Sequence, residues 1–257
     1  MIPKIIHYCW FGGNPLPSSA KKCIKSWKKY CKDYKIIRWD ESNFDISSAP
    51  LYVRQAYEAK EWAYVTDYVR LKIVYENGGI YFDTDVEVIK PFDSLLKNKA
   101  FFGFEDEENV ATGLGFGAEK GSGVLKDIME QYEDIPFILE DGSFDNTPCP
   151  VRNTDVFLRA GLIQNGEIQN LNDDIIVLSK EFLCPKSLND GIIRKTENTY
   201  SIHHFDASWF DNDKQKEKNK RWKQKQKRAK QKARRAKVKS AVIKVLGEKN
   251  YNKIRKK

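Results

Sequence analysis

The charge of this sequence changes abruptly near residue 213, and that change limits which part of the chain can form a core. Residues 214–257 hold 21 of the 45 basic residues but two of the 36 acidic ones, so the formal charge of +9 divides into +19 for this segment and −10 for residues 1–213. A segment with such a charge and few apolar side chains cannot bury a core of its own. We therefore predict a folded domain over residues 1–213 and a basic helical tail over residues 214–257.

The opening of the chain predicts an α/β fold. Residues 2–11 are apolar and aromatic, as in a buried strand, and Gly12 and Gly13 follow them. Apolar residues then recur with helical spacing over residues 20–34, and residues 35–39 form a second strand-like run. A strand, a helix and a second strand in this order are typical of a parallel, Rossmann-like nucleotide-binding sheet.

Two carboxylates at the end of a predicted strand are the strongest chemical signal in the sequence. A helical pattern over residues 53–76 ends at Gly78 and Gly79. The apolar strand that follows stops at Asp83 and Asp85. Residues two apart in a strand share a side, so both carboxylates can converge on one point. There they suit a hard divalent cation that clamps a diphosphate, and a solvated acidic turn is the alternative interpretation.

The predicted helix carries a second charged pair. Asp67 and Arg70 are three residues apart and therefore share one face of the helix within an otherwise apolar stretch. Such a face needs a polar partner or borders a cleft. One interpretation is an intrahelical ion pair, and the other is a place in the functional site.

The cysteines and the termini bear on the compartment. The five cysteines are odd in number and form no CxxC pair, which favours free thiols in a reducing compartment. The N-terminus lacks the pattern of a signal peptide, and no apolar run approaches the roughly 20 residues that a transmembrane helix needs. We expect a cytoplasmic protein whose membrane contact is peripheral.

Three separated motifs resemble those of one enzyme family. The first motif is the opening run over residues 2–13. The second consists of the segments 63–70 and 78–85, separated by the same number of residues as in the family. The third is the element over residues 202–209, which begins with Ile-His-His and ends with Ser-Trp. Together they resemble glycosyltransferase family 32, the DXD sugar-binding transferases, which include bacterial enzymes of capsular polysaccharide synthesis. The resemblance covers most of residues 1–210 and is weakest over residues 119–201.

The resemblance implies a GT-A nucleotide-binding fold, a nucleotide-sugar donor, Mn²⁺ or Mg²⁺, and retention of the anomeric configuration. Asp83 would contact the ribose and the donor sugar, and Asp85 would bind the metal with Asp83 beside it. Asp67 would accept hydrogen bonds from sugar hydroxyls, while Arg70 would hold the sugar or orient Asp67. These four are the catalytic residues that the resemblance implies.

Further contacts to the donor and the metal follow from the same resemblance. His204, in preference to His203, would complete the metal shell, although a buried, hydrogen-bonded histidine is the competing interpretation. The other donor-binding positions are His7, Trp10, Tyr81 and Trp209. Of these, Trp10 would contact the base and Trp209 would lie over the diphosphate.

The basic tail has three interpretations. An apolar stripe lies mostly on one helical face among lysines, which fits an amphipathic helix on an anionic membrane surface. Its residues are Val238, Ala241, Val242, Val245, Leu246 and Ile254. A polycation also binds nucleic acid without sequence preference, and a solvated or disordered tail is the third interpretation. We favour the membrane, because the resemblance implies lipid-linked glycan acceptors at its inner face.

Taken together, the sequence predicts a metal-dependent, retaining transferase that moves a hexose, from UDP-hexose before other donors, to a hydroxyl group of a glycan or lipid-linked glycan. The expected role is surface or capsular polysaccharide synthesis, without a nucleic-acid partner. Two alternatives stay open: a nucleic-acid-binding protein that acts through its basic tail, and a transferase that glycosylates a protein. The carboxylate cluster argues against the first, because carboxylates repel phosphates unless a metal intervenes.

Overall fold

A computed structural model describes residues 1–172, 175–206 and 212–246, and within the last segment it describes the side chains of residues 216–235. The helices are α1 (Ser18–Tyr30), α2 (Leu51–Glu58), α3 (Trp62–Asn77), α4 (Gly123–Glu130), α5 (Cys149–Arg159), α6 (Lys180–Leu183) and α7 (Asn212–Leu246). The strands are β1 (Ile5–Cys9), β2 (Lys35–Trp39), β3 (Gly79–Tyr81), β4 (Val86–Val88), β5 (Ala100–Gly103), β6 (Phe116–Ala118), β7 (Gln169–Leu171), β8 (Ile175–Leu178) and β9 (Ser201–His203). Short 3₁₀ helices lie at Ile46–Ser48, Leu95–Lys97 and Thr112–Leu114.

One sheet organises the described part of the chain. Its strand order is β2-β1-β3-β6-β5-β8-β7. Strand β1 is parallel to β2 and β3, and β5 is parallel to β8, whereas β6 and β7 run against their neighbours. The predicted α/β class is confirmed, but the sheet is mixed where the sequence predicted a parallel one. The carboxyl ends of β1, β3, β5 and β8 all lie at one edge, which we call the upper edge.

A buried tryptophan fixes the segment that follows the upper edge of β3. The Trp27 side chain of α1 is fully buried, and its ring centroid lies 5.6 Å from that of Tyr8 and 5.5 Å from that of Phe82. Aromatic pairs in such contacts contribute about 0.5–1.5 kcal/mol beyond the area they bury. Trp27 Nε1 also donates a hydrogen bond to Val86 O at 2.7 Å. Helix α1 therefore holds the start of β4, next to Asp85.

The helical region before β3 is divided in two. The single helix predicted over residues 53–76 is wrong in this respect, because α2 ends at Glu58 and α3 begins at Trp62. Lys60 has a left-handed backbone, with φ of 61°, and Glu61 N donates to Ala56 O to close the end of α2. A lysine carries no sequence signal for such a turn, in contrast to glycine.

Two glycines turn α3 into β3 beside a buried histidine. Gly78 and Gly79 have φ of 68° and 112°, and a Cβ on Gly79 would lie 2.7 Å from Ile5 O, so both positions need glycine. His7 Nε2 donates to Gly78 O at 2.8 Å, and His7 Nδ1 accepts from Trp39 Nε1 at 3.0 Å. A neutral imidazole therefore satisfies both of its nitrogens within the sheet.

The chain divides into two compact units. The first contains Met1–Lys186 and Ile193–Trp209, and it holds all the strands named above. The second contains Ser187–Ile192 and the segment from Phe210 onward, with helix α7. The domain boundary at residue 213 stays a prediction.

The second unit is held together by a tryptophan. Trp222 Nε1 of α7 donates to Leu188 O at 2.9 Å, and a Cβ on Gly191 would lie 2.6 Å from the Trp222 ring. The apolar stripe predicted over residues 238–254 lies on side chains outside the described ones. None of the helices in the described part of the chain combines the length and apolar character needed to cross a bilayer.

Acid should destabilise the protein partly through His7. Burial lowers the pKa of His7 to about 4 from an ordinary value of 6.5, so at intermediate pH the unfolded chain binds a proton that the folded chain does not. Neutral His7 makes its full contribution to the free energy of unfolding above about pH 6.5. As the pH falls towards 4, that free energy should decline by up to about 3 kcal/mol. Urea unfolding between about pH 7 and pH 4.5 measures this slope. His7→Gln should be less stable at pH 7 but show a shallower slope, and parallel slopes would contradict the assignment.

Candidate active site

Arg70 links the charged pair of α3 to the carboxylates that follow β3. Its side chain is 4% exposed, and its Nη2 donates to Asp67 Oδ1 at 2.7 Å. Its Nε donates to Thr66 O at 2.8 Å, and its Nη1 lies 3.7 Å from Asp83 Oδ2. The pair is therefore an intrahelical ion pair, and it also borders the carboxylates that follow β3. Its place in the functional site stays a prediction.

Asp83 is held in place from three directions. Tyr81 OH donates to Asp83 Oδ1 at 2.9 Å, while Arg70 faces the other carboxylate oxygen. Gly113, in the 3₁₀ helix before β6, lies so close that a Cβ there would be 2.6 Å from Asp83 Oδ2. Burial raises the pKa of Asp83, and the positive charge of Arg70 opposes that rise. Arg70 thus favours the ionised carboxylate in a place shielded from water.

Pairing of β4 with β9 brings a histidine to Asp85. His203 Nε2 lies 3.2 Å from Asp85 Oδ1, and Asp206 N donates to Asp85 Oδ2 at 2.8 Å. Burial raises the pKa of Asp85, but His203 outweighs that effect and lowers it to about 2. Burial likewise lowers the pKa of His203, but Asp85 outweighs this and raises it.

The structure places His203 in the carboxylate cluster and His204 outside it. His204 Nε2 lies 2.9 Å from Glu87 Oε2, and both side chains are partly exposed. Consecutive side chains of an extended segment point to opposite sides, so one histidine of the pair faces Asp85 and the other does not. The preference for His204 is corrected by this placement, since the sequence held no signal for the register of β9 against β4.

Asp83, Asp85 and His203 form a group that suits a divalent cation. Each offers one ligand atom, and these atoms lie within 4.8 Å of one another. One oxygen of each carboxylate is held by a hydrogen bond, from Tyr81 OH or Asp206 N, which leaves the other for the cluster. Carboxylate oxygens with an imidazole nitrogen are a donor set that fits Mn²⁺ or Mg²⁺.

The remaining predicted donor-binding residues differ in their placement. His7 is fully buried, and its two ring nitrogens are taken by the sheet, which leaves neither for a ligand. Trp10 directly follows β1 at the upper edge, is half-buried, and donates from Nε1 to Asn14 O at 2.6 Å. Tyr81 is buried and supports the first carboxylate of the pair. Trp209 lies outside the described residues.

Helix α5 adds residues that the sequence analysis missed. Burial raises the pKa of the Cys149 thiol at the start of α5, and the charge of the nearby Asp67 carboxylate raises it further. Asn153 is fully buried and donates from Nδ2 to Thr112 Oγ1 at 3.1 Å, next to Gly113. Both lie in the region where the resemblance is weakest, and neither carries a motif of its own.

Gly113 should be required for the arrangement of Asp83 and Arg70. A methyl group at Gly113 would displace the Asp83 carboxylate, and overpacking of this kind costs about 1–3 kcal/mol. Gly113→Ala should therefore lower the free energy of unfolding measured in urea by that amount. Gly123→Ala is the matched control, because nothing lies within 4 Å of a Cβ at Gly123. Equal stability of the two variants would show that Asp83 is not confined as described.

The part of the chain that carries this site is similar to a known family. The family model described as "Glycosyltransferase sugar-binding region containing DXD motif" matches residues 17–102, which include all four predicted catalytic residues. Inositol phosphoceramide mannosyltransferase 3 of Schizosaccharomyces pombe is 30% identical over 140 residues, which are 53% of this chain and 38% of that protein. The chain therefore spans well under half the length of this relative.

Two solved structures show a distant likeness. The PaToxG glycosyltransferase has a TM-score of 0.46 at 15% identity, over 62% of this chain and 68% of its own. A glycosyltransferase involved in the glycosylation of the major capsid of PBCV-1 has a TM-score of 0.44 at 13% identity, over 84% of this chain and 98% of its own. The family match over residues 17–102 covers about a third of the chain, and this part is similar to the DXD-containing sugar-binding region of glycosyltransferases.

Proposed function

We propose that this chain is a metal-dependent glycosyltransferase that moves a hexose from a nucleotide sugar to a hydroxyl group of a glycan or lipid-linked glycan. The observation that carries the proposal is the bridge made by Arg70 between Asp67 and Asp83. Arg70 joins Asp67, whose carboxylate suits sugar hydroxyls, to Asp83, whose carboxylate suits a cation that binds a diphosphate. Both halves of a nucleotide sugar therefore have a counterpart in one continuous site.

The sugar half consists of Asp67 and the residues that hold it. Burial raises the pKa of Asp67, and the positive charge of Arg70 opposes the rise. An ionised carboxylate binds hydroxyl donors about twice as strongly as a neutral acceptor does. The hydrogen bond from Arg70 also fixes the direction of the Asp67 oxygens. We assign to Asp67 the binding of sugar hydroxyls and to Arg70 its orientation.

The metal half consists of Asp83, Asp85 and His203. These residues would hold Mn²⁺ or Mg²⁺, with His203 in the role that the resemblance gave to His204. When bound, such a cation neutralises charge that develops on a departing diphosphate. The hydrogen bonds from Tyr81 and Asp206 hold the two carboxylates ready for that role.

In the proposed reaction, the bond between the anomeric carbon and the diphosphate oxygen breaks, and its electron pair leaves with the diphosphate. The acceptor oxygen bonds to the anomeric carbon, and its proton passes to an oxygen of the leaving phosphate. Burial raises the pKa of the Cys149 thiol, so this group near Asp67 stays protonated and is a poor nucleophile. We therefore favour displacement at one face of the sugar, with retention of configuration.

The donor and the setting belong to the same proposal. The name of the relative from Schizosaccharomyces pombe, a mannosyltransferase, supports transfer of a hexose. We take UDP-hexose as the first choice, and a screen of UDP-glucose, UDP-galactose, UDP-GlcNAc and GDP-mannose identifies the donor. The role we propose is synthesis of a surface or capsular polysaccharide by a protein bound to the inner face of the membrane.

Removal of the metal should abolish sugar transfer, and replacement of His203 should lower turnover more than replacement of His204 does. EDTA should stop donor turnover and Mn²⁺ should restore it, while Asp85→Ala stays inactive although folded. His203→Ala should lower turnover by about 100-fold or more, whereas His204→Ala should keep most of it. Thermal melts with and without Mn²⁺ check binding separately from activity. Turnover of Asp85→Ala in chelator, or a larger loss in His204→Ala than in His203→Ala, would contradict the assignment.

The basic tail should bind anionic membranes without taking part in chemistry, because the sheet and the candidate site lie in the first unit. A chain that ends at Asp213 should fold and turn over donor, but it should not bind vesicles that contain phosphatidylserine. The full chain should bind them, and binding should weaken as salt rises, since charges are screened within about 10 Å at 0.1 M salt. Vesicle sedimentation measures this. Indifference of the full chain to such vesicles at low salt, or preference for nucleic acid over them, would overturn the membrane proposal.

A further inference from the structure

The segment between α4 and α5 contains a short hairpin. Ile138 pairs with Phe144 in an antiparallel bridge. Asp145 N donates a hydrogen bond to Phe137 O at 2.8 Å, which closes the base of this turn of the chain. We call residues 137–146 the hairpin. The reaction described above assigns no role to it.

Two helices hold the base of the hairpin. Gln55 Oε1, on α2, accepts hydrogen bonds from Phe137 N at 2.8 Å and from Ile138 N at 3.1 Å. At the other end, Arg152 Nη2, on α5, donates a hydrogen bond to the Asp145 carboxylate. Both ends of the hairpin are thus fixed before any ligand binds. A surface held in this way loses little conformational freedom when it binds a ligand, which favours affinity.

A tyrosine joins the hairpin to the helix face that carries Asp67. Tyr64 lies three residues before Asp67 on α3, and residues with this spacing have Cβ atoms about 5–6 Å apart. Tyr64 OH donates to Asn146 Oδ1 at 3.1 Å. Asn146 is exposed, and its Nδ2 makes no hydrogen bond with the described residues. The end of the hairpin therefore adjoins the sugar half of the site and offers it a hydrogen-bond donor.

A row of aromatic rings leads from the same tyrosine to the surface. The centroid of the Phe137 ring lies 5.0 Å from that of Tyr64 and 4.9 Å from that of Phe144. The planes of Phe137 and Phe144 differ by 25°, so these two rings stack. Phe137 is fully buried, whereas Phe144 is 36% exposed. Phe137 is therefore the buried support of a ring that stays open to solvent.

An exposed aromatic ring beside an amide suits a pyranose ring. The C–H groups on one face of a pyranose are apolar and can pack on an aromatic side chain, whereas its hydroxyl groups need hydrogen-bond partners. Phe144 and Asn146 offer one group of each kind. The two halves of the donor already have counterparts in Asp67 and the metal half. The acceptor has none so far, and it must reach the hexose that Asp67 holds.

We propose that the hairpin is the acceptor subsite, in which Phe144 packs on a pyranose ring of the acceptor glycan and Asn146 donates a hydrogen bond to one of its hydroxyl groups. This inference rests on the proposed function and names a sugar ring as the acceptor. Neither residue forms or breaks a bond, so the acceptor proton still passes to the leaving phosphate. Their effect is on the affinity for the acceptor and therefore on its KM.

Methyl α- and β-pyranosides of glucose, galactose and mannose serve as test acceptors for this subsite. The donor is the one on which the wild type turns over in the screen, and mass spectrometry measures the transferred product. For the pyranoside that the wild type uses best, Phe144→Ala should raise the acceptor KM by about 10-fold and change the donor KM by less than about twofold. Asn146→Ala should raise the acceptor KM as well.

Two further variants of Phe144 and one control separate stacking from other effects. Phe144→Tyr keeps the ring and should keep the acceptor KM of the wild type, whereas Phe144→Leu keeps apolar area without a flat ring and should not. Leu158→Ala is the matched control, because Leu158 is 41% exposed in the last turn of α5, while the hairpin contacts the first. This control should match the wild type in both KM values.

The outcomes separate this inference from the proposed function. An unchanged acceptor KM in Phe144→Ala overturns the inference, and so does an equal rise in Phe144→Tyr. Equal rises of the donor and acceptor KM in Phe144→Ala assign the ring a structural role and also overturn it. A wild type that hydrolyses the donor but transfers sugar to none of the pyranosides overturns the inference and leaves donor turnover as proposed. A wild type that turns over none of the four donors overturns both.

Discussion

The buried guanidinium of Arg70 is the interaction on which the site depends. An arginine stays charged in proteins, so its burial on α3 requires negative partners at short distance. Asp67 and Asp83 supply them from two different elements, the same helix and the loop after β3. Loss of one partner of such a group costs about 3–5 kcal/mol, because an uncompensated charge is left behind. The same contacts that stabilise the fold therefore set the distance between the sugar half and the metal half.

Residues far apart in sequence meet at this site because the sheet gathers strand ends at one edge. Asp83 follows β3, and pairing of β9 with β4 adds His203. Helix α1 contributes indirectly, since Trp27 holds Val86 and with it the segment that carries Asp85. Each functional side chain is thus placed by a regular element or by the first residues beyond one. Sites built in this way hold their geometry more closely than sites on long loops do.

The parts of this arrangement that the sequence predicted are those with local signals. Strand β2 and the carboxylates after β3 follow from short apolar runs, glycine stops and the spacing of Asp83 and Asp85. The break at Lys60 had no such signal, because a left-handed lysine is set by tertiary contacts. The choice between His203 and His204 depended on strand register, and a shift of one residue exchanges the two faces.

Long-range contacts also explain why Cys149 and Asn153 were missed. Neither residue belongs to a motif, and both lie on α5, far in sequence from the segments that carry the carboxylates. The chemistry-bearing residues that the sequence revealed are those adjacent along the chain, and those that pairing brings together needed the structure.

The balance of charge in the candidate site gives the binding of a cation a further consequence. Negative groups outnumber positive ones among its described residues, which are the carboxylates of Asp67, Asp83 and Asp85, the guanidinium of Arg70 and the imidazole of His203. A diphosphate is repelled by such a group until a cation neutralises one part of it. Asp83, Asp85 and His203 would hold that cation, while Asp67 stays paired with Arg70. The negative charge that develops on a departing diphosphate would then be stabilised at the carboxylates after β3, which favours the transition state over the ground state.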